Sequence, residues 1–456
     1  MPHAYLAPPS SPGLLGKTVH ASESVRRMTT STPNLRLAGA VSVLLRGLML
    51  AGKFLFMLAL ARYTTPATVG VYALVVTVVT MLVYLIGAEL HAYTTREVVN
   101  PDKGTERDLH IQNHGRFVLV GCLLSLPLAW LVLEWLNIRQ QVSMGLLTLL
   151  LFGEVLCQEL GRYLLVFGRP VAGHLLQLIR GAAWMPLAMA LLHTQEPISA
   201  INATLASWAL GCALASLFGL WHLRSFLRVR QQFTWPWVQE AFKGSRHYFA
   251  VAMLTHVQAY ADRFILQLHM GESQVGLLTF FQSFANTTQA FVQTGVISIL
   301  MPKLLLATQR HDWPGVRSTA RHMMFISLGI AIAISMALLI GMPLVLKLVS
   351  HPEYEALIGV FPWLLLGNLI VIAGLIPHLR LYALHQDSLL MRIFMVVVPL
   401  GVLANLLLVP RFGVKGAVAV FVGIACLQTL IKFHFARIAT SESVTATQPA
   451  KAAATR

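Results

Sequence analysis

The sequence predicts an all-α integral membrane protein. It should have about twelve transmembrane helices in two six-helix lobes, related by a parallel pseudo-two-fold axis along the membrane normal. Three observations carry this. Of the 456 residues, 56% are hydrophobic and 11% charged, and mean hydropathy is +0.68. Counting Gly as apolar and leaving out Tyr brings the apolar share to about 61%, against ~45–50% in soluble domains. Apolar windows bounded by Pro, Gly and charged residues recur along the chain at the length of a membrane-spanning helix. The basic residues divide unequally between alternate loops.

The windows lie near residues 37–62, 69–91, 116–137, 142–163, 171–193, 198–221, 246–269, 274–301, 321–346, 356–379, 388–409 and 413–435. With the N-terminus inside, the inner segments hold 25 Lys and Arg and the outer ones 5, leaving Arg46, Lys53, Arg180 and Arg263 within the membrane. That positive-inside asymmetry places both termini in the cytoplasm. The pI near 10.1 is therefore mainly a topology signal, with some attraction of the inner loops to anionic membrane lipids. It gives no reason to expect nucleic acid.

Residues 1–36 are rich in Ser, Thr and Pro, lack a secretory apolar core and read as a disordered cytoplasmic tail. A first lobe then covers 37–221. A cytoplasmic linker with an interfacial helix covers 222–245, where Trp235, Trp237, Phe242 and Lys243 cluster. A second lobe covers 246–437, and 438–456 reads as another disordered tail. Six spans per lobe make the two lobes run the same way, which is a parallel repeat. The run Thr65-Pro-Ala-Thr-Val-Gly70 opens span two, and Gly271-Glu-Ser-Gln-Val-Gly276 opens span eight as its echo.

Arg46 and Lys53 are seven residues apart in an apolar stretch without a carboxylate. Seven steps of ~100° return them to nearly one face, and each costs roughly 2.5–3.5 kcal/mol near a bilayer centre. Snorkelling explains Lys53 poorly, because Arg62 at the outer end is ~13.5 Å of helix rise away. A face looking into a water-filled cavity, with an anionic cargo, accounts for both; alternatively they are a buried pair met by a carboxylate from another helix. Arg180 lies at the depth of Glu154. Two readings stay open: a structural Arg180–Glu154 pair, or Arg180 as a third cation of the cavity wall.

On span eight, Gln282, Asn286, Gln289 and Gln293 follow i, i+4, i+7, i+11. An uncharged amide stripe supplies both donors and acceptors to sugar hydroxyls; alternatively it joins helices. Span seven places Thr255, Gln258 and Asp262 on one face, with Arg263 next to it. Asp262 and Glu154 are the candidates for ion coupling. No catalytic set, phosphate-binding loop or metal spacing is present, and no cofactor is implied. The cysteines Cys122, Cys157, Cys212 and Cys426 lie irregularly within apolar helices and read as packing residues.

Several motifs together resemble a known family. Leu60-Ala-Arg-Tyr-Thr-Thr-Pro-Ala-Thr-Val-Gly-Val-Tyr-Ala-Leu74 resembles the first hairpin of bacterial polysaccharide flippases. Ala261-Asp-Arg-Phe-Ile-Leu266, Val275-Gly276 and Met301-Pro-Lys303 look like the start of that family's second half. Arg162, Gly168-Arg-Pro170, Arg180 and Trp184 are similar to its fourth and fifth helices, and Pro410-Arg-Phe-Gly-Val-Lys-Gly-Ala417 to its last hairpin. The departure is Leu277-Leu278, where the family favours a tyrosine. The family is the polysaccharide and O-antigen branch of the multidrug/oligosaccharidyl-lipid/polysaccharide (MOP) exporter superfamily. The resemblance implies a MATE-like pair of lobes around a cationic cavity. By alternating access it would move a polyprenyl-pyrophosphate-linked oligosaccharide across the bacterial inner membrane, with polysaccharide polymerase and glycosyltransferase machinery as implied partners. Arg46, Lys53 and Arg180 would then attract the pyrophosphate or acidic sugars. The alternatives are a cation-coupled multidrug exporter of the same superfamily and a membrane-embedded glycan polymerase or ligase. The short outer loops offer the last little room for a catalytic centre.

Overall fold

A computed structural model describes residues 35–99, 107–192, 197–224 and 233–454, all helical apart from short turns, with no strand among the described residues. Among the described residues, ten helices are long and apolar enough to cross a membrane. The expected tail over 1–36 lies outside the described residues except for its last two positions. Residues 225–232 of the 222–245 linker are likewise outside them.

α1 (Leu35–Tyr63) and α2 (Pro66–Gly87) form a hairpin. Thr65 caps α2 through its hydroxyl, which accepts from the Thr68 N–H at 3.3 Å, and Pro66 supplies a pre-set first turn. α3 (His91–Val99) is a short polar helix behind a left-handed turn at Ala88 and Glu89. α4 (Arg107–Trp135), α5 (Met144–Val166), α6 (Pro170–Leu192) and α7 (Pro197–Leu223) follow. α8 (Trp235–Met270) is one continuous helix of 36 residues, so the interfacial segment read from the sequence runs directly into the seventh span. It is not among the ten apolar helices, because Gln258, Asp262, Arg263 and Gln267 interrupt it. α9 (Glu272–Gln309) and α10 (Trp313–Val349) are long apolar helices, α11 (Pro352–Ala356) is a single turn, and α12 is Phe361–Ala383. α13 (Asp387–Ala454) is broken at Gly413, whose φ of 57° and ψ of −134° no helix accommodates. Its limbs run antiparallel: Leu390 packs with Ala436 and Ala439. The second limb continues helical through 438–454, where the sequence suggests a loose tail. Each of the twelve windows read from the sequence falls on a helix.

Apolar side chains point outward as well as inward. Leu123, Leu124 and Leu131 of α4, Phe325 and Ile340 of α10, and Val396 and Leu407 of α13 are exposed, as a lipid-facing belt requires. Inside, the packing differs between the two ends. Where α1 and α8 finish and α2 and α9 begin, a single core joins Leu74, Phe281, Leu346, Phe361 and Val414. Toward the opposite end it divides into separate clusters, one around Trp313 and Met323, one around Leu90 and Trp237, one around Leu381 and Ala436. The two lobes share one core at the first end, called the sealed end below, and are parted by a cavity toward the second, where α8 still meets α3 and α4 through the Leu90–Trp237 cluster.

Candidate functional site

The parting is a cavity of about 740 Å³, lined by α1, α2, α8, α9, α12 and both limbs of α13, with Met185 of α6. It starts about two turns below the sealed end, at Ala73, Asp262 and Thr279, and reaches the level of Gln293, His378 and Lys432. Its charged lining residues are Lys53, Asp262, Arg263 and Lys432, giving the wall a net charge of +2.

The amide stripe is placed as a unit. Gln282, Asn286, Gln289 and Gln293 of α9 all line the cavity. Gln293 opens a π-helical turn, Gln293–Ile297, the kind of local widening that often marks a functional position. Gln282 is engaged at the cavity apex, where its Nε2 donates to Asp262 Oδ2 at 3.0 Å and its Oε1 accepts from Arg263 Nη2 at 3.1 Å. Arg263 also donates from Nη1 to Thr77 Oγ1 of α2 at 3.1 Å and lies over the Tyr260 ring at 5.1 Å. The Arg263 N–H donates to Asp262 Oδ1 at 2.8 Å. The apex therefore ties α8, α9 and α2 together, and Asp262 is held there by an amide and a backbone N–H.

The three expected cations do not share one wall. Lys53 is in the lining, with its side chain accessible from the cavity. Arg46 is outside it, close enough to His174 of α6 for charge interaction. Arg180 is also outside it, in a π-helical turn of α6, Ile179–Ala183. Its Nε donates to Glu154 Oε2 at 2.6 Å and its Nη2 pairs with the same oxygen. The other Glu154 oxygen accepts from Trp208 Nε1 at 2.6 Å and from Cys212 Sγ at 3.2 Å. Of the two readings open for Arg180, the geometry is that of the pair: a buried carboxylate with both oxygens occupied, between α5, α6 and α7.

The sequence reading passed over the opposite wall. Lys432, placed there in the C-terminal inner segment, is 8% exposed and lines the cavity, with its ammonium 5.2 Å from the centre of the Phe394 ring. Asn368 and Asn405, 1% and 8% exposed, also line it. Each amide donates to the carbonyl one turn back, Leu364 and Gly401 at 3.0 and 3.1 Å, and keeps a buried Oδ1 without a hydrogen bond. Gln258 and Gln428 exchange hydrogen bonds at 3.2 and 3.4 Å across α8 and α13. The signal was present as Gln428 and Lys432, spaced i, i+4 in an otherwise apolar run.

Beside the cavity, a smaller pocket of about 250 Å³ sits at the α1–α9 seam. Leu50, Phe54, Phe284 and Ala290 make it largely apolar, and it shares Lys53, Ser283 and Asn286 with the main cavity. No group of His, Cys, Asp or Glu among the described residues has the arrangement of a metal site.

With the cavity described, the molecule can be set against solved structures. An inward-facing multidrug resistance MATE family transporter of the MOP superfamily aligns with a TM-score of 0.64 at 12% identity, over 93% of this chain and 99% of that one. The lipid II flippase MurJ in an inward closed conformation aligns at 0.72 and 11% identity, over 90% and 91%. A MOP superfamily transporter from Pyrococcus furiosus, described as having a binding pocket of reverse polarity, aligns at 0.57 and 13% identity, over 89% and 96%. No protein-family model matches the sequence, and no curated protein is similar to it by sequence. At these identities the likeness is one of fold: the chain has the fold of MOP superfamily transporters.

Proposed function

We propose that this protein is a flippase of the bacterial inner membrane, which moves a polyprenyl-pyrophosphate-linked oligosaccharide to the outer leaflet by alternating access. The observation that carries this is the cavity wall: a net positive charge set among amides, continuous with an apolar pocket at the α1–α9 seam. Cations meet a diphosphate, and amides offer donors and acceptors to sugar hydroxyls. The apolar seam lets a polyprenyl tail remain in lipid while its headgroup occupies the cavity, with Lys53 at the junction.

With α8 and the two limbs of α13 counted, the chain makes twelve crossings in two lobes, and both termini are cytoplasmic by the charge rule. The sealed end is then the outer one, and the headgroup enters from inside. Asp262 is the coupling candidate at the apex, since any change in its charge acts directly on Gln282. Glu154 is already committed to Arg180. Glycosyltransferases would supply the cargo and a polymerase would receive it.

The test is reconstitution. Proteoliposomes holding the protein should reorient a fluorescent polyprenyl-diphosphate saccharide between leaflets faster than protein-free vesicles, and equal rates would overturn the proposal. Export of a cationic drug without saccharide movement would favour a multidrug exporter. In a deletion strain, saccharide trapped inside supports the flippase, and saccharide left unpolymerised outside supports a polymerase or ligase.

A further inference from the structure

We propose that Lys432, His378 and Phe394 form a second anion subsite, which takes an acidic group on the glycan portion of the cargo. The proposal rests on reading the cavity as a site for a lipid-linked glycan, and it adds that the glycan itself carries negative charge.

Lys432 is buried and borders the cavity, yet no carboxylate lies within ion-pair distance of it among the described residues; its contact is the face of Phe394. His378 stands edge-on to the same ring at 6.3 Å, and its buried Nδ1 has no hydrogen-bond partner. A lysine and an imidazole nitrogen thus converge on one aromatic side chain, neither with an ion-pair or hydrogen-bond partner among the described residues. A largely buried lysine without a counter-ion is costly, and the cavity it borders is where an anion would meet it.

The one carboxylate in the lining is too far away. The Gln258–Gln428 bond fixes the register of antiparallel α8 and α13. Asp262 is four residues from that bond toward the sealed end and Lys432 four residues from it toward the open end, so the two are separated by ~12 Å along the axis. Asp262 is in addition held by Gln282 and the Arg263 N–H. By the same register, Arg263 and Lys432 are ~13 Å apart, a gap that a short oligosaccharide bridges. Asn368 and Asn405 of the same wall keep buried Oδ1 atoms without hydrogen bonds. The result is a cation at each level of an amide-containing wall.

The experiment measures binding to the full-length protein in nanodiscs with three probes: a glucuronate-containing disaccharide, its neutral glucose counterpart and a polyprenyl diphosphate without sugar. The wild type should prefer the acidic disaccharide. Lys432→Gln should weaken it by roughly tenfold, the loss of a charge-assisted contact, and leave the neutral disaccharide and the diphosphate within about twofold. Lys432→Arg should keep the preference, which guards against a folding defect in the glutamine variant. An unchanged preference in Lys432→Gln, or none in the wild type, overturns the subsite. If Lys432→Gln instead weakens the sugar-free diphosphate, the lysine serves the lipid phosphate and the glycan assignment falls. A diphosphate that fails to bind the wild type defeats the flippase reading itself, which the disaccharide arms report separately.

Discussion

Gly70 and Gly276 pack against each other's helices in a reciprocal contact. A Cβ added to Gly70 would lie 1.9 Å from the carbonyl oxygen of Glu272, and one added to Gly276 would lie 1.9 Å from that of Pro66. In each case the blocking carbonyl is four residues before the other glycine. The echo between the openings of α2 and α9 is thus a two-fold-like seam at the sealed end, where only hydrogen fits. Arg62 adds a hydrogen bond from Nη1 to Leu348 O at 2.7 Å, and Gln267 one from Nε2 to Leu136 O at 2.9 Å. Gly70→Ala should pry this end apart. Labelling of a Ser283→Cys reporter by an impermeant maleimide from the outer side should rise several-fold over the same reporter with Gly70 intact. Unchanged labelling would mean that the seam does not set closure.

The Arg180–Glu154 pair gives a stability prediction. Glu154→Gln leaves the partly buried Arg180 guanidinium without its counter-charge, and should destabilise the protein by about 1–3 kcal/mol. Combining it with Arg180→Met removes both charges and should recover most of that loss. Thermal unfolding of the purified variants measures both, and no recovery in the double variant would show that the two residues do not act as a pair.

Lys53 and Arg46 should separate functionally. Lys53 borders both the main cavity and the α1–α9 pocket, while Arg46 borders neither. Lys53→Gln should slow lipid-linked saccharide movement roughly tenfold or more, as the loss of a contact worth ~1.4 kcal/mol implies. Arg46→Gln should cost far less. Initial rates in proteoliposomes decide between them, and equal losses would return Arg46 to the wall.

His91 opens α3 with its Nδ1 3.4 Å from Glu89 Oε2. Burial, and then the Arg162 charge, push His91 down to about 4, while burial pushes the Glu89 carboxyl up. Between pH 4 and 6.5 the unfolded chain therefore binds a proton at His91 that the folded chain refuses. Its contribution to stability is complete above about pH 6.5 and is lost as pH falls toward 4. Glu89 has the opposite sign, losing stability as pH rises through its raised value. The melting temperature should fall on acidification, and His91→Gln should flatten that slope. An identical pH profile in the variant would remove His91 as a cause.

The helices were legible because their signals are local. Apolar length, the Thr65–Pro66 start and the i, i+4, i+7, i+11 spacing of Gln282, Asn286, Gln289 and Gln293 are properties of neighbouring residues, and the fold kept them. The depth of Arg180 and Glu154 was also countable, which is why their pairing could be named as one of two alternatives. Lys432 was missed for a physical reason. It is three residues from the end of its window, where a lysine ordinarily reaches the interface, and the packing of Phe394 against it depends on a helical limb almost forty residues earlier in the chain.

The sequence by itself determined that this chain is a helical membrane protein, that Arg180 and Glu154 lie at one depth and which face of α9 is polar. Only the tertiary structure decided which charges face the cavity. That depends on the rotation and register of helices distant in sequence, through contacts such as Gln258–Gln428, Arg263–Thr77 and the Gly70–Gly276 seam. Two cations within the helical core had different outcomes: Arg180, a quarter exposed, met a carboxylate, and Lys432, 8% exposed, met an aromatic face bordering an open cavity.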